Sequence, residues 1–170
     1  MSPMPLVIVM GVSGSGKTTV GSGLAVRLGV PFIDGDDLHP QSNIDKMAAG
    51  HALTDDDRWP WLARIGQALT DAEATGMVIA CSALKRAYRD AIGAQEPRAV
   101  FIHLSASRDL IAQRLAERSG HFMPASLLDS QFAALEPLAR EEPGAVVDVS
   151  GDIDDALGVA VADVRRLAAS

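Results

Sequence analysis

Two periods of apolar spacing alternate along this chain. Leu6-Val7-Ile8-Val9-Met10 is an unbroken apolar run, as expected of a strand buried on both faces. Val20, Leu24 and Leu28 then recur at helical spacing, closed by Gly29. The pattern predicts strands at 6–10, 31–33, 77–81, 99–104 and 145–149. It predicts helices at 17–28, 55–74, 83–92, 107–117, 125–135 and 153–167. Such alternation implies an α/β fold, a mostly parallel five-stranded sheet with helices on both faces. Ligands in such folds sit beyond the carboxyl ends of the strands. That rule directs attention to the segments after Met10, Ile33, Cys81, Leu104 and Val149.

Composition narrows the setting. At 170 residues the chain suits one domain, 1–170, able to bury a core. Aromatic residues are only 4%, so Ala, Val, Leu and Ile must fill most of that core. A net charge of −7 argues against a nucleic-acid partner, which needs a basic patch. Cys81 is a single cysteine and cannot form an internal disulfide. No apolar run approaches the roughly 18 residues of a membrane span. The N-terminal stretch has neither the basic nor the long apolar region of a secretory signal. A cytoplasmic protein without a membrane partner is expected.

Candidate chemistry begins right after the first strand. Gly11-Val12-Ser13-Gly14-Ser15-Gly16-Lys17-Thr18 fits the phosphate-binding loop, in the strand–loop–helix order that the motif requires. Glycines let successive backbone N–H groups turn inward toward phosphate oxygens. Lys17 is expected at the β- and γ-phosphates and the Thr18 hydroxyl at Mg²⁺. The nucleotide set is Gly11, Ser13, Gly14, Ser15, Gly16, Lys17, Thr18 and Thr19. After the second strand comes Asp34-Gly35-Asp36-Asp37-Leu38-His39-Pro40. One carboxylate there can hold a metal-bound water, and another can accept or orient the proton of an attacking hydroxyl. Asp37 reads as a cap of the turn. His39 reads equally as loop structure or as a substrate contact.

These stretches resemble the small P-loop gluconokinases. The resemblance rests on 34–40, on Asn43-Ile44-Asp45-Lys46-Met47, and on Leu53-Thr54-Asp55-Asp56-Asp57-Arg58-Trp59-Pro60-Trp61-Leu62. It extends through Cys81-Ser82-Ala83-Leu84-Lys85-Arg86-Ala87-Tyr88-Arg89-Asp90 and Gly120-His121-Phe122-Met123-Pro124 to Ser130-Gln131-Phe132, covering about 7–151. It implies a three-layer P-loop kinase fold related to shikimate and nucleoside monophosphate kinases. A helical substrate-binding segment is expected at about 36–76 and a lid at about 118–136. The implied reaction moves the γ-phosphoryl group of ATP, with Mg²⁺, to the 6-hydroxyl of D-gluconate. The family suggests a homodimer.

The resemblance also distributes roles. By analogy with shikimate kinases, Asp34 would hold Mg²⁺ through water and Asp36 would orient the accepting hydroxyl. Gluconate is anionic, so Arg58, Lys85 and Arg89 are candidate grips for its carboxylate. Lys85 and Arg89 lie four apart on one predicted helix face. His39 and Gln131 join them as substrate candidates, with Ser82 secondary. Arg114 and Arg118 end the helix before the lid. Arg118 is taken with Lys17 and Asp36 as catalytic, and Arg114 with the nucleotide. Gly151, after the last strand, is placed beside the adenine. Trp59 and Trp61 read as packing, and Pro60 as lying near a helix start. No apolar strand ends in the usual metal-binding acid, so the metal rests on Thr18 with Asp34 behind it. Two alternatives remain, a kinase for another polyol acid or shikimate-like acceptor, and a nucleotide-binding module without turnover.

Overall fold

A computed structural model describes residues 3–117 and 125–169. Its sheet contains β1 (Leu6–Met10), β2 (Phe32–Asp34), β3 (Met77–Ala80), β4 (Val100–Ser105) and β5 (Gly144–Asp148). The strand order is β2-β3-β1-β4-β5, and every pairing is parallel. The helices are α1 (Lys17–Leu28), α2 (Gln41–Ala48), α3 (Asp55–Asp71), α4 (Arg86–Gln95), α5 (Arg108–Glu117), α6 (Ala125–Ala134) and α7 (Ile153–Ala168).

The apolar run of β1 explains the layers. Successive strand side chains point to opposite faces. Val7 and Val9 pack with Val20 and Leu24 of α1 and with Leu157, Ala160 and Val164 of α7. Leu6, Ile8 and Met10 pack with Leu62, Ile65 and Leu69 of α3 and with Ile92 of α4. Each such fully buried Leu or Ile contributes about 1.5–3 kcal/mol. From β1 the chain runs to β2 and β3 on one side, then crosses to β4 and β5 on the other. The strand order therefore diverges at β1, and a crevice opens at its carboxyl end. Among the described residues no helix is long and apolar enough to cross a membrane.

Four elements differ from the sequence expectation. Gly35–Leu38 forms a 3₁₀ turn, and α2 follows it. α2 carries Ile44, Met47 and Ala48 at helical spacing, but that stripe is exposed, and its one buried residue is the polar Asn43. α4 starts at Arg86, not at 83, because Ala83 is left-handed (φ 45°) and Lys85 is extended. A distant side chain caps it, with Arg86 N–H donating to Glu136 Oε1 at 2.9 Å. Pro60 lies inside α3 rather than at its start. The start is built by Thr54 and Asp57, whose side chains each accept the other's backbone N–H.

Candidate active site

The loop from Gly11 to Gly16 leaves β1 at the crevice. Gly14 has φ 82°, and a Cβ there would lie 2.6 Å from Leu115 Cγ, so only glycine fits. Ser15 Oγ donates to Val12 O at 2.7 Å and braces the curl from beneath. The first turn of α1 carries no acidic residue, which leaves its positive dipole end for an anion. Lys17 Nζ donates to the carbonyls of Gly11 and Val12, which sets the ammonium across the loop.

A cleft of about 570 Å³ runs from this loop over the ends of β2 and β3. Ser13, Gly14, Gly16, Lys17 and Thr18 line one end. Asp34 and Asp36 line its wall. Their turn rests directly on β3, since a Cβ on Gly35 would lie 2.6 Å from Ala80 O. Asp34 Oδ1 accepts from Asp36 N–H at 2.9 Å, which fixes the turn. Burial, and then the neighbouring Asp34 carboxylate, raise the Asp36 pKa above its ordinary value, while His39 and Lys17 pull it down. A carboxyl open to the cleft beside a phosphate loop suits a group that receives or orients a proton.

The far part of the cleft is cationic. Arg58, Lys85 and Tyr88 line it together with Ser82 and Leu84. Tyr88 OH donates to Asp55 Oδ1 at 2.6 Å, and Arg58 Nη1 donates to Tyr88 OH at 3.3 Å. Arg58 and Lys85 lie 3.6 and 3.9 Å from the same Asp55 oxygen, and both sit over the Tyr88 ring. The Tyr88 bond, and then Lys85 and Arg58, hold the Asp55 carboxyl below its ordinary range. Two cations share one carboxylate here, leaving one positive charge for an anionic ligand. The structure thus adds Tyr88 and Asp55 to the site. Neither carried a signal beyond membership of matching stretches, because 33 positions separate them.

Other expected residues fall elsewhere. Arg89 does not face the cleft. It is 2% exposed, paired with Glu142 at 2.8 Å, and it donates to the carbonyls of Ala83, Leu84, Glu136 and Pro137. Every donor it has is directed into the protein, so it is a strut and not a substrate grip. The helix face meant to pair it with Lys85 does not exist, because α4 begins after Lys85. His39 is nine-tenths buried, stacked on Trp61, and lies behind Asp36 instead of in the cleft wall. Gln131 reaches the cleft, yet both its polar atoms engage Ser13 of the phosphate loop. Gly11 N–H donates to Ser82 O at 3.2 Å and so links the two halves of the site instead of pointing at phosphate. Cys81 is buried, and burial pushes its thiol up to about 12, which rules out a ready nucleophile.

A second cleft of about 200 Å³ opens on the other side of the loop. Ser15, Gly16, Thr19, Arg114 and Gly151 line it. Gly16 borders both clefts, so a ligand lying across the loop could occupy both. Arg118 and the rest of 118–124 lie outside the described residues.

Parallel sheet, phosphate loop and an adjoining carboxylate-bearing cleft together define a P-loop kinase that acts on a small molecule. The shikimate kinase family model matches residues 13–148. A gluconokinase of Gluconobacter oxydans (strain 621H) is 50% identical over 148 residues, covering 86% of this chain and 82% of the relative. A thermosensitive gluconokinase of Escherichia coli (strain K12) is 49% identical over 150 residues, covering 86% and 80%. The crystal structure of a gluconokinase from Sinorhizobium meliloti 1021 superposes with a TM-score of 0.87 at 47% identity, covering 97% of this chain and 94% of that one. The chain belongs to the gluconokinase family.

Proposed function

We propose that this protein transfers the γ-phosphoryl group of ATP to the 6-hydroxyl of D-gluconate, giving ADP and 6-phospho-D-gluconate. The observation that carries the reading is the single cleft with a phosphate loop at one end and the Arg58–Lys85–Tyr88 group at the other, with Asp36 between them. An open-chain aldonate held by its carboxylate at the cationic end would extend its C6 hydroxyl toward Asp36. There the O6–phosphorus bond forms as the bond to the β,γ-bridging oxygen breaks. The hydroxyl proton passes to the Asp36 carboxylate. Such transfers run through a loose transition state, so orientation of the hydroxyl counts for more than the strength of the base.

Lys17 would lie along the β- and γ-phosphates, and Arg114 beside the nucleotide near Gly151. The Thr18 hydroxyl and the Asp34 carboxylate, the latter through water, are the groups that would hold Mg²⁺. The fit is chemical. Both offer hard oxygens, and among the described residues no cluster of three or more His, Cys, Asp or Glu could bind a metal. Phosphate oxygens and water would then complete the shell, as Mg²⁺ prefers. When bound, the ion neutralises charge on the β- and γ-oxygens. The reading carries with it a homodimer in the cytoplasm and no nucleic-acid partner.

Product analysis tests it. Incubation with Mg·ATP and D-gluconate should yield a phosphate monoester on C6, seen by phosphorus NMR. Release of inorganic phosphate with no sugar phosphate would refute it.

A further inference from the structure

We infer that His39 is a positioning residue for Asp36, its Nε2–H held toward the Asp36 carboxylate by Asn43 and Trp61. The inference rests on the reading that Asp36 orients the acceptor hydroxyl.

Asn43 fixes the proton. Its side chain is almost wholly buried, and Nδ2 donates to the Asp57 carbonyl at 2.9 Å. A carbonyl only accepts, so the amide nitrogen and not the oxygen must face it. The same nitrogen lies 3.2 Å from His39 Nδ1. Its second hydrogen goes there, and Nδ1 presents a lone pair. The proton of a neutral imidazole then sits on Nε2. Burial, with Arg58 adding to it, lowers the His39 pKa against the pull of Asp36, in keeping with a neutral ring.

Trp61 fixes the ring plane. The two rings stack with centroids 4.2 Å apart and planes 15° from parallel. Trp61 Nε1–H also donates to Gly35 O at 2.8 Å, so one indole references both the imidazole and the peptide leading into Asp36. Nε2 lies 4.0 Å from Asp36 Oδ1, and the Asp36 side chain is 80% exposed. Left alone, such a side chain samples several rotamers. Rotation of the exposed carboxylate toward Nε2 would bring the pair to hydrogen-bond length, as catalytic contacts often close only with substrate. His39 then occupies one carboxylate oxygen and leaves the other for the hydroxyl.

Ring nitrogen-15 NMR of the substrate-free wild-type protein should show His39 protonated at Nε2 and bare at Nδ1. The opposite tautomer overturns the inference. His39→Phe keeps the stack and loses the donor. It should lower kcat about 10- to 100-fold while both KM values stay within about twofold, the mark of lost orientation. His39→Gln, whose amide N–H can reach the same place, should recover part of that loss. Wild-type kcat in His39→Phe overturns the inference. Equal losses in both variants, matched by equal losses of thermal stability, also overturn it, since they mark a purely structural role. Wild-type protein that fails to turn over gluconate would refute the functional reading instead, with the tautomer still read by NMR.

Discussion

Gln131 and Ser13, 118 positions apart, exchange two hydrogen bonds: Ser13 N–H donates to Gln131 Oε1 at 2.7 Å, and Gln131 Nε2 donates to Ser13 Oγ at 3.0 Å. α6 thereby holds the phosphate loop by its backbone. Two neutral bonds at about 1 kcal/mol each exceed the 1.4 kcal/mol that makes a tenfold change. Gln131→Leu should therefore raise the KM for ATP about tenfold and leave that for gluconate nearly unchanged. A rise confined to gluconate would return Gln131 to the acceptor pocket.

Arg58 makes the converse prediction. Charge-assisted bonds contribute about 1.5–3 kcal/mol, so Arg58→Ala should raise the gluconate KM about 10- to 100-fold. The ATP KM should hold. Steady-state kinetics with each substrate varied in turn checks this, and equal rises would remove Arg58 from the carboxylate end of the cleft.

Arg89 acts on stability. Its guanidinium and Glu142 are 1% and 5% exposed, and breaking a buried pair of this kind costs about 3–5 kcal/mol. Arg89→Met should lose about that much in denaturant unfolding. Replacing Glu142 by Leu as well should not restore it, because the carbonyls of Ala83 and Glu136 stay without the Arg89 donor. Full recovery in the double variant would mean that the ion pair, and not the carbonyl bracket, is what matters.

The sequence was legible wherever apolar period and local chemistry coincide. α1 spans Lys17–Leu28 as its spacing predicts, because Gly16 and Gly29 bracket an uninterrupted pattern. The phosphate loop and the Asp34–Asp36 turn are local motifs and land together in the cleft. What escaped is long-range. Glu136 caps α4 from 50 positions away, and that capping, with Ala83 left-handed, moves the helix start past Lys85. The spacing of Arg89 from Lys85 said nothing of Glu142, 53 positions on, which draws the guanidinium inward. α2 is held by the polar Asn43 and leaves Ile44 and Met47 outside, so the apolar spacing of this short helix does not mark the face that packs.

Asp57 makes stability depend on pH. The bond from Lys46, and then the Thr54 N–H, lower its carboxyl from 3.8 to about 2. A depressed carboxylate stabilises the fold fully above the unfolded value and loses that contribution as pH falls through the folded one. Asp57→Asn should therefore be less stable than wild type at neutral pH, and the gap should close between about pH 4 and pH 2. Chemical denaturation across that range reads it directly. A gap that persists at pH 2 would assign the effect to packing of the capping box and not to charge.

The most direct measurement is the initial rate of ADP release with Mg·ATP and a panel of acceptors: D-gluconate, its epimers, a dicarboxylic sugar acid, a neutral hexose and shikimate. The cleft with one phosphate loop and one net positive charge at its far end predicts the highest kcat/KM for D-gluconate, with the neutral hexose and shikimate near background. Equal rates for all acceptors, or a preference for the neutral sugar, would contradict it.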